Sequence, residues 1–194
     1  MTKNKKEPTP TSVEAWATML HKEFSKESDR ASVIIAATMI ENALETLLKS
    51  FLVPTDSADD SLFVGAYAPL SSFSAKIDMA YRVGLISSRF CRDLHLVRRI
   101  RNDFAHNVMS CSFGDAPVRS RVLELSRSSD MAQRNPHIRA LFDSGPRGDF
   151  LISVEWMHWH LRSLAEDVKS LNPGALEWGY HWTHTPKTDT SKKE

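Results

Sequence analysis

Cysteine is scarce in this sequence: Cys91 and Cys111 are the only two in 194 residues. Two thiols in a chain of this length do not build a disulfide scaffold. Both lie in or beside apolar helical sequence, so buried free thiols of a reducing compartment are expected. An excess of charge of one sign is also missing. Lys and Arg number 25 against 24 Asp and Glu, for a formal net charge of +1. That balance argues against a protein held on nucleic acid by a large positive field, while leaving room for a small basic site. No apolar stretch follows Met1 to Glu7, so no secretion signal is expected. The longest apolar stretches read as too short and too interrupted by charge to span a bilayer. A cytoplasmic location without membrane contact is the expectation. Phosphate-loop, dinucleotide and nucleophile-elbow patterns are absent, which removes the common nucleotide-hydrolase, dehydrogenase and esterase readings. No alternating strand pattern of useful length and no internal repeat is found.

What the sequence has is helical periodicity. Polar tails are expected over 1–10 and 183–194, around a single all-helical domain over 11–175. Thr11, Ser12 and Glu14 resemble a capping box, and Trp16, Met19, Leu20 and Phe24 then recur at helical spacing, predicting a helix over about 12–26. Ser28 or Asp29 caps a second helix that runs to Phe51 or Leu52, stopped by Pro54. Its broad stripe (Val33, Ile34, Ala37, Ile40, Leu44, Leu47 and Leu48) makes it the central helix, with Glu41 and Glu45 at the stripe's border. A loop with the apolar patch Leu62 to Ala68 follows. Further helices are predicted over 71–83, ended by Gly84, and over 88–107, started at Ser87 or Ser88. After Met109 the pattern weakens, leaving 118–125 and 134–142 open as short helices, and a long helix is predicted over 149–171 after the turn at Gly145 to Gly148. The sum is an all-α bundle of five or six helices around one core.

One run is chemically pointed: Arg101-Asn102-Asp103-Phe104-Ala105-His106. At about 100° per residue, Phe90, Leu94, Val97, Ile100 and Phe104 share a face, and Arg101 projects near its centre. A guanidinium there needs a carboxylate or a solvated cleft, and Glu41 or Glu45 is the expected partner. Asn102 and His106 stack at four apart, and Asp103 approaches His106 at three apart. Arg101 and His106 are about 140° apart on an ideal helix, so they converge only through the long arginine, a bent helix end or a dimer. A cleft holding these groups would suit phosphate-ester chemistry in RNA. His106 would be the general acid or base, Arg101 the phosphate clamp and Asn102 the orienting amide. The ribose 2′-hydroxyl would be the nucleophile, so neither metal nor cofactor is implied. The alternative is structural: a buried Arg101–Glu41 ion pair, with Asn102 and His106 closing a helix end.

The Arg-Asn-x-x-x-His pattern at the end of a bundle helix resembles the signature of HEPN-type domains. That group implies a HEPN-like four- or five-helix bundle, frequent dimerisation and, in many members, metal-independent endoribonuclease activity within toxin–antitoxin, defence or RNA-processing systems. On that resemblance Arg101 and His106 carry catalysis, Asn102 is the polar neighbour, and Glu41 or Glu45 is the supporting acid. Pro69 to Ile86, the stretch from Phe90 through His106, and Ile40-Glu41-Asn42-Ala43-Leu44 resemble the mannitol operon repressor (MltR-like) family. The resemblance covers residues 30 to 110. It implies transcriptional regulation through protein contacts by a dimeric helical bundle of the same kind, and the repressor type departs from the arginine-containing pattern that this chain keeps. No helix-turn-helix signal is present, which favours a co-regulator over direct operator reading.

Three other features stand out. Trp156 and Trp159 lie off the main stripe of the last helix, expected either to pack its flank or to meet a partner or second copy. His158 and His160 face different ways, and His181 and His184 lack companion ligands, so no metal site is predicted. Arg119, Arg121, Arg127, Arg134, Arg139 and Arg147 form a basic stretch, a solvated face or a source of phosphate contacts. Two functions follow: an MltR-like regulator that binds protein, or an RNA-cleaving enzyme with an antitoxin-like partner.

Overall fold

The computed structural model describes residues 13–57, 59–107 and 111–172. The expected tails, the Thr11–Ser12 part of the capping box, and His181 and His184 lie outside the described residues. Among the described residues there are eight helices: α1 (Val13–Phe24), α2 (Asp29–Phe51), α3 (Phe73–Arg82), α4 (Ser88–His106), α5 (Ala116–Ser128), α6 (Asp130–Arg134), α7 (Pro136–Arg139) and α8 (Pro146–Asp167).

This corrects the expected five or six. The extra breaks come from local chemistry. Ser129 closes α5 with its N–H on the Leu125 carbonyl, and the chain restarts at once as α6. Asn135 precedes Pro136, which disfavours helical backbone at the asparagine. Asn135 is accordingly extended, and its side chain accepts from the N–H groups of His137 and Ile138 to start α7.

α2 and α4 begin at the expected serines, and α3 is capped by Ser72, one residue inside its expected start. Ser28, Ser72 and Ser87 each accept a hydrogen bond from the backbone N–H three residues on, a contact worth about 1 kcal/mol. Gly84 sits at φ +78 after α3, a conformation that costs glycine little and turns the chain into α4. α8 starts at Pro146 and gives way to extended backbone at Val168, so Leu171 falls past its end.

α2 is the hub, packed on α8, α4 and α3, while α5 and α1 both lean on α8. By length and composition α2 would suffice to cross a membrane, which corrects the reading of every apolar stretch as too short and too charged. Ser32, Val33, Ala36, Ala37, Ile40, Ala43, Leu44, Leu47 and Leu48 are instead buried against the bundle. Burying each leucine-sized side chain is worth about 1.5–3 kcal/mol. An aromatic chain ties the far end of α4 to α8: Phe104 to Phe113 at 5.2 Å, then Phe113 to Phe150 at 5.5 Å between ring centroids.

Candidate functional site

Arg101 is exposed, which overturns its projection onto the buried face. The side chains of α4 that are buried are Asp93, Leu94, Leu96, Val97, Ile100 and Phe104. Phe90 is only partly covered. Centring the face on the buried set leaves Arg101 roughly 70° round the helix, at its rim. The guanidinium donates from Nη1 to Asn102 Oδ1 at 3.1 Å. The amide expected to orient His106 is therefore turned to the arginine.

The rest of the run is equally dispersed. Asp103 is taken by Arg121 of α5, both groups partly buried, rather than by His106. His106 is exposed on the last turn of α4. The following carbonyl, Asn107, accepts from Arg30 Nη2 at 2.8 Å, so α2 and α5 both hold this helix end. The structure thus brings Arg101 to Asn102 and Asp103 to Arg121. It does not bring Arg101 to His106 within the protomer.

Glu41 and Glu45 meet a cation that sequence reasoning passed over. Lys76 of α3 is 5% exposed, and its Nζ lies 2.9 Å from Glu41 Oε1 and 2.9 Å from Glu45 Oε2. Lys49 also reaches Glu45, at 2.6 Å. Burial alone would lower the Lys76 pKa, but hydrogen bonds and charge from both carboxylates outweigh it and hold the ammonium above its ordinary value. Glu45 shows the mirror image: burial pushes its pKa up, and the two lysines more than reverse that to leave it lowered. The sequence held the signal. On α3, Lys76 falls between Phe73 and Ala80 on the apolar face, and Glu41 and Glu45 sit one turn apart on α2.

The basic stretch is largely spent on internal ion pairs: Arg121 on Asp103, Arg134 on Asp130, Arg139 on Asp149 and Arg147 on Asp29. Arg119 and Arg127 are exposed. On α8, Trp156 and Trp159 stack on each other with centroids 5.3 Å apart and planes at 24°, each half-buried. Beside them a cavity of about 250 Å³ is lined by Arg89, Phe90, Asp93, Trp156, Met157 and His160, among others. A larger one of about 610 Å³ lies between α1, α2 and α8, lined by Trp16, Asn42, Thr46, His158, Arg162 and Glu166, among others. No residue of the 101–106 run lines either. In the larger one the His158 ring stacks on Trp16 at 4.9 Å and 8°. Burial, with a smaller contribution from the Arg162 charge, lowers the His158 pKa to about 4.

Among known proteins, no family model and no curated sequence matches the chain. A chain of the X-ray structure of the MtlR–HPr complex from Escherichia coli is similar in fold, with a TM-score of 0.54 at 15% identity. The match covers 76% of this chain and 99% of that one. The likeness shows a common helical architecture.

Proposed function

We propose that this chain is a regulatory protein of the mannitol-repressor-like kind, which works by docking a protein partner. The observation that carries this reading is the likeness of its bundle, over nearly the whole of the other chain, to one found in the complex of MtlR with HPr. Control of transcription is assigned to that partner contact, since the sequence offers no helix-turn-helix for reading an operator. An HPr-type protein is the partner to try first. The surface we assign to it is the groove beside the Trp156–Trp159 stack, where Arg89, Phe90 and His160 add the aromatic and arginine character of interface anchors. A second copy of the chain, in a homodimer, is the competing occupant.

Calorimetric titration of the purified HPr-type protein into the full chain tests this. One-to-one binding is expected, weakened roughly tenfold or more by Trp156→Ser and little changed by Tyr67→Ser. Tyr67, 99% exposed on a separate loop, serves as the control surface. An absence of heat at high micromolar concentration overturns the partner assignment. Sedimentation of the chain alone reports whether a dimer already occupies the groove; a dimer broken by Trp156→Ser would overturn the groove as the partner's site.

The endoribonuclease reading draws little from the geometry. Arg101 faces Asn102, Asp103 faces Arg121, and His106 stands apart on the surface.

A further inference from the structure

α3 and α4 lie side by side after the Gly84 turn, and three metal-ligating side chains meet where they pack. Cys91 and His95 are one turn apart on α4, hence on one face. Asp78 reaches them from α3. The thiol sulfur, a ring nitrogen and a carboxylate oxygen all lie within 4.8 Å of one another. His95 Nε2 is 3.1 Å from Asp78 Oδ1, and His95 Nδ1 is buried with no hydrogen-bond partner among the described residues. A tetrahedral zinc ion holds sulfur at about 2.3 Å and nitrogen or oxygen at about 2.0–2.2 Å. The ligand atoms would draw together from their present spacing onto such a centre.

We propose that Asp78, Cys91 and His95 form a binding site for a zinc-type divalent cation. One sulfur, one nitrogen and one oxygen suit a borderline-soft ion and disfavour magnesium or calcium, which take oxygen ligands. Three protein ligands leave the fourth position to water. On binding, the Cys91 thiol forms the sulfur–metal bond and releases its proton to solvent. The thiolate and the Asp78 carboxylate then neutralise the ion's double charge. Without the ion the thiol holds its proton more firmly than usual, because it is partly buried and faces the Asp78 charge. The bound ion pins α3 to α4 from the outer side, opposite the Lys76 contacts that pin α3 to α2. The proposal is independent of the regulatory reading.

The test is titration of the full chain with Zn²⁺ against a chromophoric chelator, and with Co²⁺ followed in the near ultraviolet. One equivalent is expected, with a thiolate-to-cobalt charge-transfer band. Cys91→Ser and His95→Gln should each weaken zinc binding at least roughly tenfold and the first should abolish the band. Cys111→Ser and the His181→Gln/His184→Gln pair should change neither. Circular dichroism checks that each variant folds. Alkylation of the unaltered protein needs no substitution: saturating Zn²⁺ should slow maleimide labelling of Cys91, read by peptide mass, and leave Cys111 unaffected. Zinc affinity that survives both Cys91→Ser and His95→Gln, or Cys91 labelling unchanged by zinc, overturns the site.

Discussion

Glu41 holds its carboxylate oxygen 2.9 Å from the Lys76 ammonium, so the acid expected to serve Arg101 serves a buried lysine of the neighbouring helix. Removing one member of a fully buried ion pair costs about 3–5 kcal/mol. Here the glutamates keep about a quarter of their side-chain surface in water, 23% and 25%, which reduces the penalty. Lys76→Met should therefore destabilise the fold by about 1–3 kcal/mol, seen as a fall in Tm of about 3–10 °C. Arg101→Ala, at an exposed position, should stay within about 0.5 kcal/mol. Thermal or urea unfolding of the two variants side by side decides it. The reverse ranking would mean that Arg101, not Lys76, is the structural cation.

Acid should weaken the protein through His158. Its folded pKa of about 4 lies below the ordinary 6.5, so the unfolded chain binds the proton first as pH falls. The stability tied to this ring is present in full above pH 6.5, declines between 6.5 and about 4, and levels off below. At about 1.4 kcal/mol per unit, the loss is about 3 kcal/mol. His158→Phe keeps a ring against Trp16 and should flatten that part of a stability–pH curve measured by urea unfolding. A curve unchanged by the substitution would assign the acid sensitivity elsewhere. Glu45, with its lowered pKa, acts in a different window: its contribution is present above 4.5 and is lost as pH falls through its folded value. Lys76 acts at the other end, its contribution lost as pH rises through a folded value above 10.5.

Arg147 is the other side chain on which the bundle leans. Its guanidinium donates to Asp29 Oδ1 at 2.9 Å, to the Phe24 and Glu27 carbonyls at 2.9 and 2.8 Å, and to Ser32 Oγ at 3.0 Å. It thereby fixes the α1–α2 turn onto the start of α8. Bonds to a charged group contribute about 1.5–3 kcal/mol each in favourable cases, and partial exposure and water replacement reduce their sum. Arg147→Ala should cost about 2–4 kcal/mol and lower Tm by about 5–12 °C. Arg147→Lys should recover only part, because an ammonium cannot span the same set of acceptors. Full rescue by lysine would show that charge alone is at work.

These cases show which parts of the molecule were legible in the sequence. The serine caps of α2 and α4, the Gly84 turn and the apolar stripe of α2 depend on neighbours within a few residues, and their positions follow from local chemistry. The helix count departs from the sequence pattern where that chemistry is subtle, at Ser129 and at Asn135-Pro136. Taking Phe90 into the face of α4 misplaces Arg101, because neighbouring helices bury Asp93 and Leu96 and rotate the buried side away from the arginine. The Arg121–Asp103 and Arg147–Asp29 pairs join residues 18 and 118 positions apart. No periodicity carries that information. Lys76 was within reach, since its place beside Phe73 and Ala80 follows from the same projection.

The fate of the 101–106 run leads to the last prediction. Cleavage through a 2′-hydroxyl needs a base within hydrogen-bond reach of that group and a cation on the phosphate at the same moment. Here Arg101 is turned to Asn102, and Asp103, the carboxylate nearest His106 in sequence, is engaged by Arg121. Purified protein incubated with structured and single-stranded RNA in chelator should therefore leave the RNA intact. Arg101→Ala and His106→Ala should behave alike, and partner binding by both variants should match the unaltered chain, because neither residue lines the groove beside Trp156. Cleavage by the unaltered protein that disappears in both variants would reverse the assignment. It would require that a second copy supply the histidine that the first copy's arginine does not meet.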